Sequence, residues 1–515
     1  MDFKGGTIKM IEKKGVITVD IGTTSMRAML FDADGHILHV HQCETVPQSF
    51  NDGRVEQDPA IWPTTLCTVL KSCHDAAAPK AVLPQCISVT AQRSSVIALD
   101  ADAQPLFPAI MWQDRRTADL AREMEDCNRL VFGRTGLKIS PIFSAIKMRW
   151  LRRERPDIWQ KTHKMIGIQD WVIYHLCGRF VTDHTFGSRT NLFDLEKREW
   201  DDELLKLFGV ERRMLCDLVA PGSIVGGLTA EMAALTGLPG GLPIVSAGGD
   251  QQCAALGLGL FSAERAVANT GTGTFLIGHA ERPIIDAAMR LACNVSAVPG
   301  AYIVEAAILT SGAIYRWFDE FLSTGQSTPG DFEALNQAAA AAPPGANGLI
   351  LLPHFKGCGA PHWDPQACGT LFKLTLETTR GEMARAILEG IAVEMKDSLD
   401  LVEQFCGEVN AVSVSGGMTR SDLFNQIQSD VFDRPVVRFG SNEATSLGAW
   451  IAGVVAVGME TSYPAAFTRA EDPGSVRRYQ PEAANRARYA AQVRRSRALY
   501  QALAAPEFRK LMAED

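Results

Sequence analysis

Hydrophobic positions along the chain come in short runs separated by amphipathic stretches, and this rhythm predicts alternating strands and helices. The clearest case is VITVDIGTTSMRAMLFD, residues 16–32. Val16, Ile17, Val19 and Ile21 read as a buried strand, and Met29, Leu30 and Phe31 as its return. Gly22, Thr23, Thr24 and Ser25 form a tight, hydroxyl-tipped turn between them. The same strand-like or strand–helix texture recurs in CISVTAQ, MIGIQDWVIYHLCG and PIVSAGG, and later in AYIVEAAI, GLILLP and AVSVSGG. An Ala-Pro-Gly patch, AAAAAPPGANG, predicts a surface loop. The segment PEAANRARYAAQVRRSRALYQALAAPEF predicts a docked, solvated helix near the end.

The opening pattern has an echo. RAVANTGTGTFLIG, residues 265–278, again reads apolar strand, Gly/Thr turn, apolar strand, and it opens the second half of the chain. Two such hairpins predict two related domains facing each other. The length of 515 residues agrees, since one hydrophobic core rarely organises so much chain. Composition narrows the class further. A formal net charge of −8 gives no reason to expect nucleic acid or an anionic membrane as partner. The twelve cysteines contain no CxxC pair, so neither a zinc ribbon nor a dithiol site is indicated. LGAWIAGVVAVG is too short an apolar stretch to span a bilayer, and a cytoplasmic protein is expected.

Candidate chemistry sits at the ends of the predicted strands. There is no GxxxxGK[ST] loop, HExxH or GxSxG, so a phosphate site must use another device. Gly-Thr turns are one, because glycine admits phosphate close to the backbone and threonine adds donors. A carboxylate beside such a turn repels phosphate unless Mg²⁺ lies between them. Asp20 is therefore either a turn former or part of a metal site. Asp250 follows Gly248-Gly249 at a strand-to-helix junction, where it reads as a helix N-cap, a general base, or both. Gln92, Arg93 and Ser94, with Trp112 and Gln113 further on, supply the directional polar groups and aromatic face that a sugar or polyol needs. In QDRR, a salt-bridged helix start explains Arg115 and Arg116 equally well. Gly416 and Gly417 follow another strand, either as a tight connection or as a close approach to a ligand. Cys358, His362, Asp364 and Cys368 have poor metal-site spacing and predict a structural loop.

Taken together these motifs resemble the FGGY family of carbohydrate kinases. DIGTTSMR, GGDQQ, NTGTGTF, GCGAPHWDPQACGTLF and SGGMTRSDLFNQIQSD with NEATSLGAW occur in that family's order from Val16 onward. The resemblance implies an α/β fold of two actin-like (ribonuclease H-like) domains with an interdomain cleft. Residues 15–262 would form the first domain and 263–515 the second, after a leader or disordered tail at 1–14. It implies ATP as phosphoryl donor, Mg²⁺ held at Asp20, and Thr23, Thr24 and Ser25 on the phosphates. Gly271, Thr272 and Gly273 would hold phosphates from the other side, with Gly416 and Gly417 against the nucleotide. Asp250 would be the base, and Gln92, Arg93, Ser94, Trp112, Ile142, Gln251 and Phe275 would surround the acceptor. A homodimer is the candidate assembly. WQDRRT and VTDHTFGSRTNLFDL look like the glycerol kinase branch, yet Ser94 stands where that branch has Glu and Ile142 where it has Tyr. Losing both suggests an acceptor longer than glycerol, such as a tetritol, pentitol or ketopentose. The Met-His-Gly tripeptide of xylulokinases is absent. Lys373 replaces a usual Gly. A non-catalytic nucleotide- or sugar-binding protein on the same fold is the rival from another class.

Overall fold

The computed structural model describes residues 13–322, 332–440 and 443–512. Two mixed sheets organise it. The first contains β1 (Lys13–Ile21), β2 (Ser25–Asp32), β3 (Ile37–Glu44), β4 (Val82–Ala91), β5 (Ser223–Gly227) and β6 (Pro243–Gly249), in the order β5-β6-β4-β1-β2-β3. β1, β2 and β3 form an antiparallel meander, while β4 and β6 add in parallel beside β1. Val16, Ile17, Thr18 and Val19 are all fully buried. A strand covered on both faces needs apolar residues at successive positions, which is why this segment reads as a run and not as an alternation. Lys13 and Lys14, expected in a leader, instead begin β1 and pair with Val82 and Leu83 of β4. The rest of the expected leader, residues 1–12, lies outside the described residues.

After β6 comes α1 (Asp250–Gly257). The second sheet follows, built from β7 (Arg265–Thr270), β8 (Thr274–Ala280), β9 (Ala292–Val295), β10 (Tyr302–Ile308), β11 (Ala411–Ser415), β12 (Val436–Arg438) and β13 (Arg477–Tyr479). Its order is β9-β10-β8-β7-β11-β12-β13. Strands β7, β8 and β10 form an antiparallel meander, and β11 and β12 add in parallel beside β7. The echo between residues 16–32 and 265–278 is thus the first hairpin of one strand order used twice.

Helices complete the layers: α2 (Arg380–Cys406), α3 (Asp422–Phe432) and α4 (Ala444–Ala456). Although α4 belongs to the second half of the chain, it buries Trp450, Ile451 and Val454 against Val16, Met29 and Phe31 of the first sheet. The Trp450 indole N–H donates to the Asp32 carbonyl at 3.1 Å. Where α4 crosses α1 the backbones touch. A Cβ on Gly448 would fall 1.9 Å from the Cys253 carbonyl oxygen, and one on Gly257 2.0 Å from that of Ala444.

Two local expectations change. In the Ala-Pro-Gly patch the alanines close a helix, Glu333–Ala341, with Ala339 fully buried. Alanine's helix propensity wins until Pro343 and Pro344 interrupt it. Lys373 has φ +74°, the left-handed region that glycine adopts without penalty. A usual Gly at this position thus has a backbone reason, and the lysine keeps the conformation. Among the described residues, no helix is long and apolar enough to cross a membrane.

Candidate functional site

The strand ends that carry candidate chemistry converge between the two sheets. Beside the second sheet, the β7–β8 turn and the segment after β11 border one cavity of about 590 Å³, lined by Gly271, Thr272, Gly312, Gly417, Met418 and Phe424 among others. Gly271 and Gly417 have open space where a Cβ would stand. Gly416 has φ +97°, and a Cβ there would lie 2.2 Å from the Thr270 carbonyl oxygen, so only glycine lets this segment pass so close to β7. Gly273 closes the turn, accepting from the Gly271 N–H at 2.8 Å.

The first turn is propped from below. Gly22 N–H donates to the Ser25 carbonyl at 2.9 Å, and the buried Gln92 amide donates to the Gly22 carbonyl at 2.9 Å. Gln92, expected beside the acceptor, thus props the β1–β2 turn from below. The Trp112 indole N–H donates to the Thr23 hydroxyl at 3.0 Å, joining the expected acceptor wall to that turn. Thr24 is exposed and Ser25 half-buried.

Asp250 is the first residue of α1, and Gly249, not Asp250, occupies the N-cap position with no side-chain cap bond. Its Oδ1 lies 3.3 Å from Arg93 Nε, and 29% of its side chain is open. Burial pushes its pKa up, partly opposed by Arg93. Arg93 also donates to Gln252 Oε1 at 3.0 Å and reaches Glu305 at 3.4 Å. Glu305, from β10, in turn accepts from Arg189 at 3.0 Å and from the Asn294 amide at 3.1 Å. Burial would raise Glu305's pKa, yet Arg189 and Arg93 together outweigh it and hold it below the usual value. Arg189, desolvated and repelled by Arg93, is lowered to about 10.

Around this centre, Trp112, Ile142 and Phe275 are 36%, 40% and 45% exposed, so they remain available to a ligand. Ser94 does not face outward in the same way. It is buried at φ +71° and its hydroxyl donates to the Arg189 carbonyl at 3.2 Å. Gln251 Oε1 is buried without a hydrogen-bond partner among the described residues. Arg116 is bound to Asp114 and Glu56 and stacks over Trp150 at 4.8 Å, which makes it a structural anchor.

Asp20 accepts two bonds from Arg27, at 2.7 and 3.0 Å, and Arg27 also pairs with Glu443 from the second half of the chain at 2.6 Å. Burial pushes Asp20's pKa up; Arg27 lowers it, and the neighbouring Asp250 and Glu443 carboxylates raise it. Mutually repelling carboxylates at one cleft are a donor set that a hard divalent cation relieves, so these residues fit Mg²⁺. Sequence reasoning missed Arg27, Arg189, Glu305 and Glu443. One signal was present: Glu305 is the only charged residue in the apolar run AYIVEAAI.

Comparisons with known proteins place the chain in a family. Residues 15–257 match the model of the FGGY family of carbohydrate kinases, N-terminal domain, and residues 266–457 match the C-terminal domain of that family. Glycerol kinase from Alkalilimnicola ehrlichii is 34% identical over 473 residues, covering 88% of this chain and 93% of the relative. Glycerol kinase from Thermus brockianus is 35% identical over 457 residues, covering 86% and 90%. Among solved structures, xylulose kinase from Rhodospirillum rubrum superposes with a TM-score of 0.89 at 28% identity, covering 96% of this chain and all of the other. Plasmodium falciparum glycerol kinase, solved with ADP, gives 0.86 at 25%, covering 95% and 98%. The chain belongs to the FGGY family of carbohydrate kinases and is an ATP-dependent enzyme that phosphorylates a hydroxyl group of a small sugar or polyol.

Proposed function

We propose that Asp250 is the general base. The observation that carries this is its position: a partly open carboxylate at the head of α1, its pKa raised by burial, beside Arg93. The acceptor hydroxyl oxygen attacks the γ-phosphorus, its proton passes to Asp250, the bond to the bridging oxygen of ADP breaks, and ADP leaves. A carboxyl with a raised pKa is a better proton acceptor than an ordinary one, and such help is typically worth ~10²–10⁴-fold. Arg93 keeps the carboxylate oriented, while the β1–β2 and β7–β8 turns hold the phosphates from opposite sides. Asp20 would hold Mg²⁺, which when bound neutralises charge on the transferring phosphoryl group. Asp250→Asn is expected to retain ATP binding and lose at least about 10²-fold in turnover. Turnover at the wild-type rate would overturn the assignment.

For the acceptor, the relatives favour glycerol, since those reported above at 34% and 35% identity are glycerol kinases. A second reading, a longer polyol or ketose, is favoured by Ile142 and by Ser94 turning its hydroxyl into the protein. A coupled ADP-release panel over glycerol, tetritols, pentitols and xylulose separates them. Glycerol with the highest kcat/KM supports the first reading, and a four- or five-carbon acceptor ahead of it supports the second.

A further inference from the structure

The loop expected to be merely structural carries a different constellation from the one its spacing suggested. Cys368 is exposed, and Asp364 is engaged by Tyr500 and Arg509. Cys358 instead meets two residues that are not its spacing partners: His354, just after the strand Ile350–Leu352, and Glu394, in the middle of α2. All three are buried, at 2%, 3% and 6% exposure respectively. His354 Nε2 lies 3.1 Å from Glu394 Oε2, Cys358 Sγ lies 3.1 Å from Glu394 Oε1, and the three donor atoms lie within 4.8 Å of one another.

We propose that His354, Cys358 and Glu394 form a binding site for a zinc-class divalent cation, separate from the kinase cleft. Nitrogen, sulfur and carboxylate oxygen together are a donor set that Zn²⁺ accepts and that Mg²⁺ does not. Metal–ligand bonds of about 2.0–2.3 Å in tetrahedral geometry put neighbouring donors roughly 3.3–3.7 Å apart. The 3.1 Å contacts go to the two different oxygens of Glu394, and the three donor atoms lie within 4.8 Å of one another, so closing on one cation takes a turn of the carboxylate and a shift of at most about 1.5 Å. His354, Glu394 and His362 help to line a cavity of about 300 Å³, which gives the cluster an entry path and shares no lining residue with the cavity beside the β7–β8 turn.

The donors are held in advance. Ala360 N–H donates to the Ala307 carbonyl on β10 at 2.9 Å, and the Thr310 hydroxyl donates to the Pro353 carbonyl at 2.5 Å, so both ends of the loop are fixed to one strand and its exit. Further charges face the cluster: Asp397 and Asp400 from α2, each paired with Arg497 of the helix Ala483–Leu503. Metal entry replaces the thiol proton. The S–H bond breaks, the sulfur electron pair binds the cation, the proton leaves to solvent, and the imidazole keeps its proton on Nδ1 with Nε2 on the metal.

The test uses the full-length protein stripped by chelator and titrated with Co²⁺ as the spectroscopic probe. A thiolate-to-cobalt charge-transfer band that saturates at a single site per chain and is displaced by Zn²⁺ is expected. Cys358→Ser should abolish the band and Cys368→Ser should keep it. His354→Ala and Glu394→Gln should each weaken Co²⁺ binding by at least about tenfold. Absence of the band in the wild type, or its survival in Cys358→Ser, overturns the proposal. Should Cys358→Ser fail to fold, the wild-type band and the His354→Ala titration decide alone. Kinase activity is not a readout, so the outcome is independent of the acceptor and of Asp250.

Discussion

Replacing Glu305 by Gln tests how the cleft charges act on one another. The residue is only 6% exposed and its carboxylate holds Arg189 at 3.0 Å and Arg93 at 3.4 Å, with Asn294 at 3.1 Å. Removing its charge leaves two guanidinium groups adjacent in a desolvated setting, with Asp250 as the neighbouring carboxylate. Breaking a buried pair costs about 3–5 kcal/mol; glutamine keeps the shape and one acceptor, so about 3 kcal/mol is the expected loss of stability. The functional effect has a sign. Glu305's charge raises Asp250's pKa, and the arginines lower it. With Glu305 neutral, Asp250 gives up its proton at lower pH and becomes a weaker base. The acid limb of the kcat/KM–pH profile should move to lower pH while the plateau falls. Urea unfolding followed by circular dichroism and a coupled ADP-release assay across pH measure the two effects. An acid limb that stays in place or moves up, with stability within about 1 kcal/mol of wild type, refutes the coupling.

Two further outcomes follow from buried or strained positions. Lys373→Gly should stabilise the protein by about 0.5–1 kcal/mol. The left-handed conformation costs an ordinary residue roughly 1–2 kcal/mol, and glycine's extra unfolded-state freedom returns only part of that. A loss of stability in urea would contradict this. Lys147 is fully buried, donates to the Pro141 and Ile142 carbonyls, and is pushed down by burial to about 7. Below that pH both folded and unfolded chains hold the proton. Above it the unfolded chain, with its ordinary lysine, binds more protons, so stability rises with pH until the ordinary lysine value is reached. Relative to Lys147→Gln, the wild type should gain about 2 kcal/mol between about pH 7.5 and 9, and a flat difference would contradict the buried amine.

What the sequence made legible was local. A carboxylate or a glycine pair at a strand end announces itself, so the strand-end places of Asp20, Asp250 and Gly416-Gly417 were legible without coordinates. Residues whose meaning depends on a partner far along the chain were not. Arg27 is ordinary until Glu443 faces it, Arg189 until β10 brings Glu305 to it, and Cys358 until α2 supplies Glu394. Gln92 and Ser94 were read as ligand contacts because they follow a strand. Their direction is decided by a carbonyl from the neighbouring turn and by Arg189, neither of which spacing encodes.

The crossing of α1 and α4 has a mechanical consequence. At Gly257 and Gly448 the two helices meet backbone to backbone, with no side chain between them to act as a soft spacer. One helix begins at Asp250 and the other follows Glu443, so each carries a cleft carboxylate at or beside its first turn. A substituent at either glycine must push the two helices apart, and the carboxylate that opens α1 and the one that precedes α4 would move with them. The backbone-to-backbone crossing thus fixes the spacing of Asp250 and Glu443 as firmly as it fixes the helices themselves.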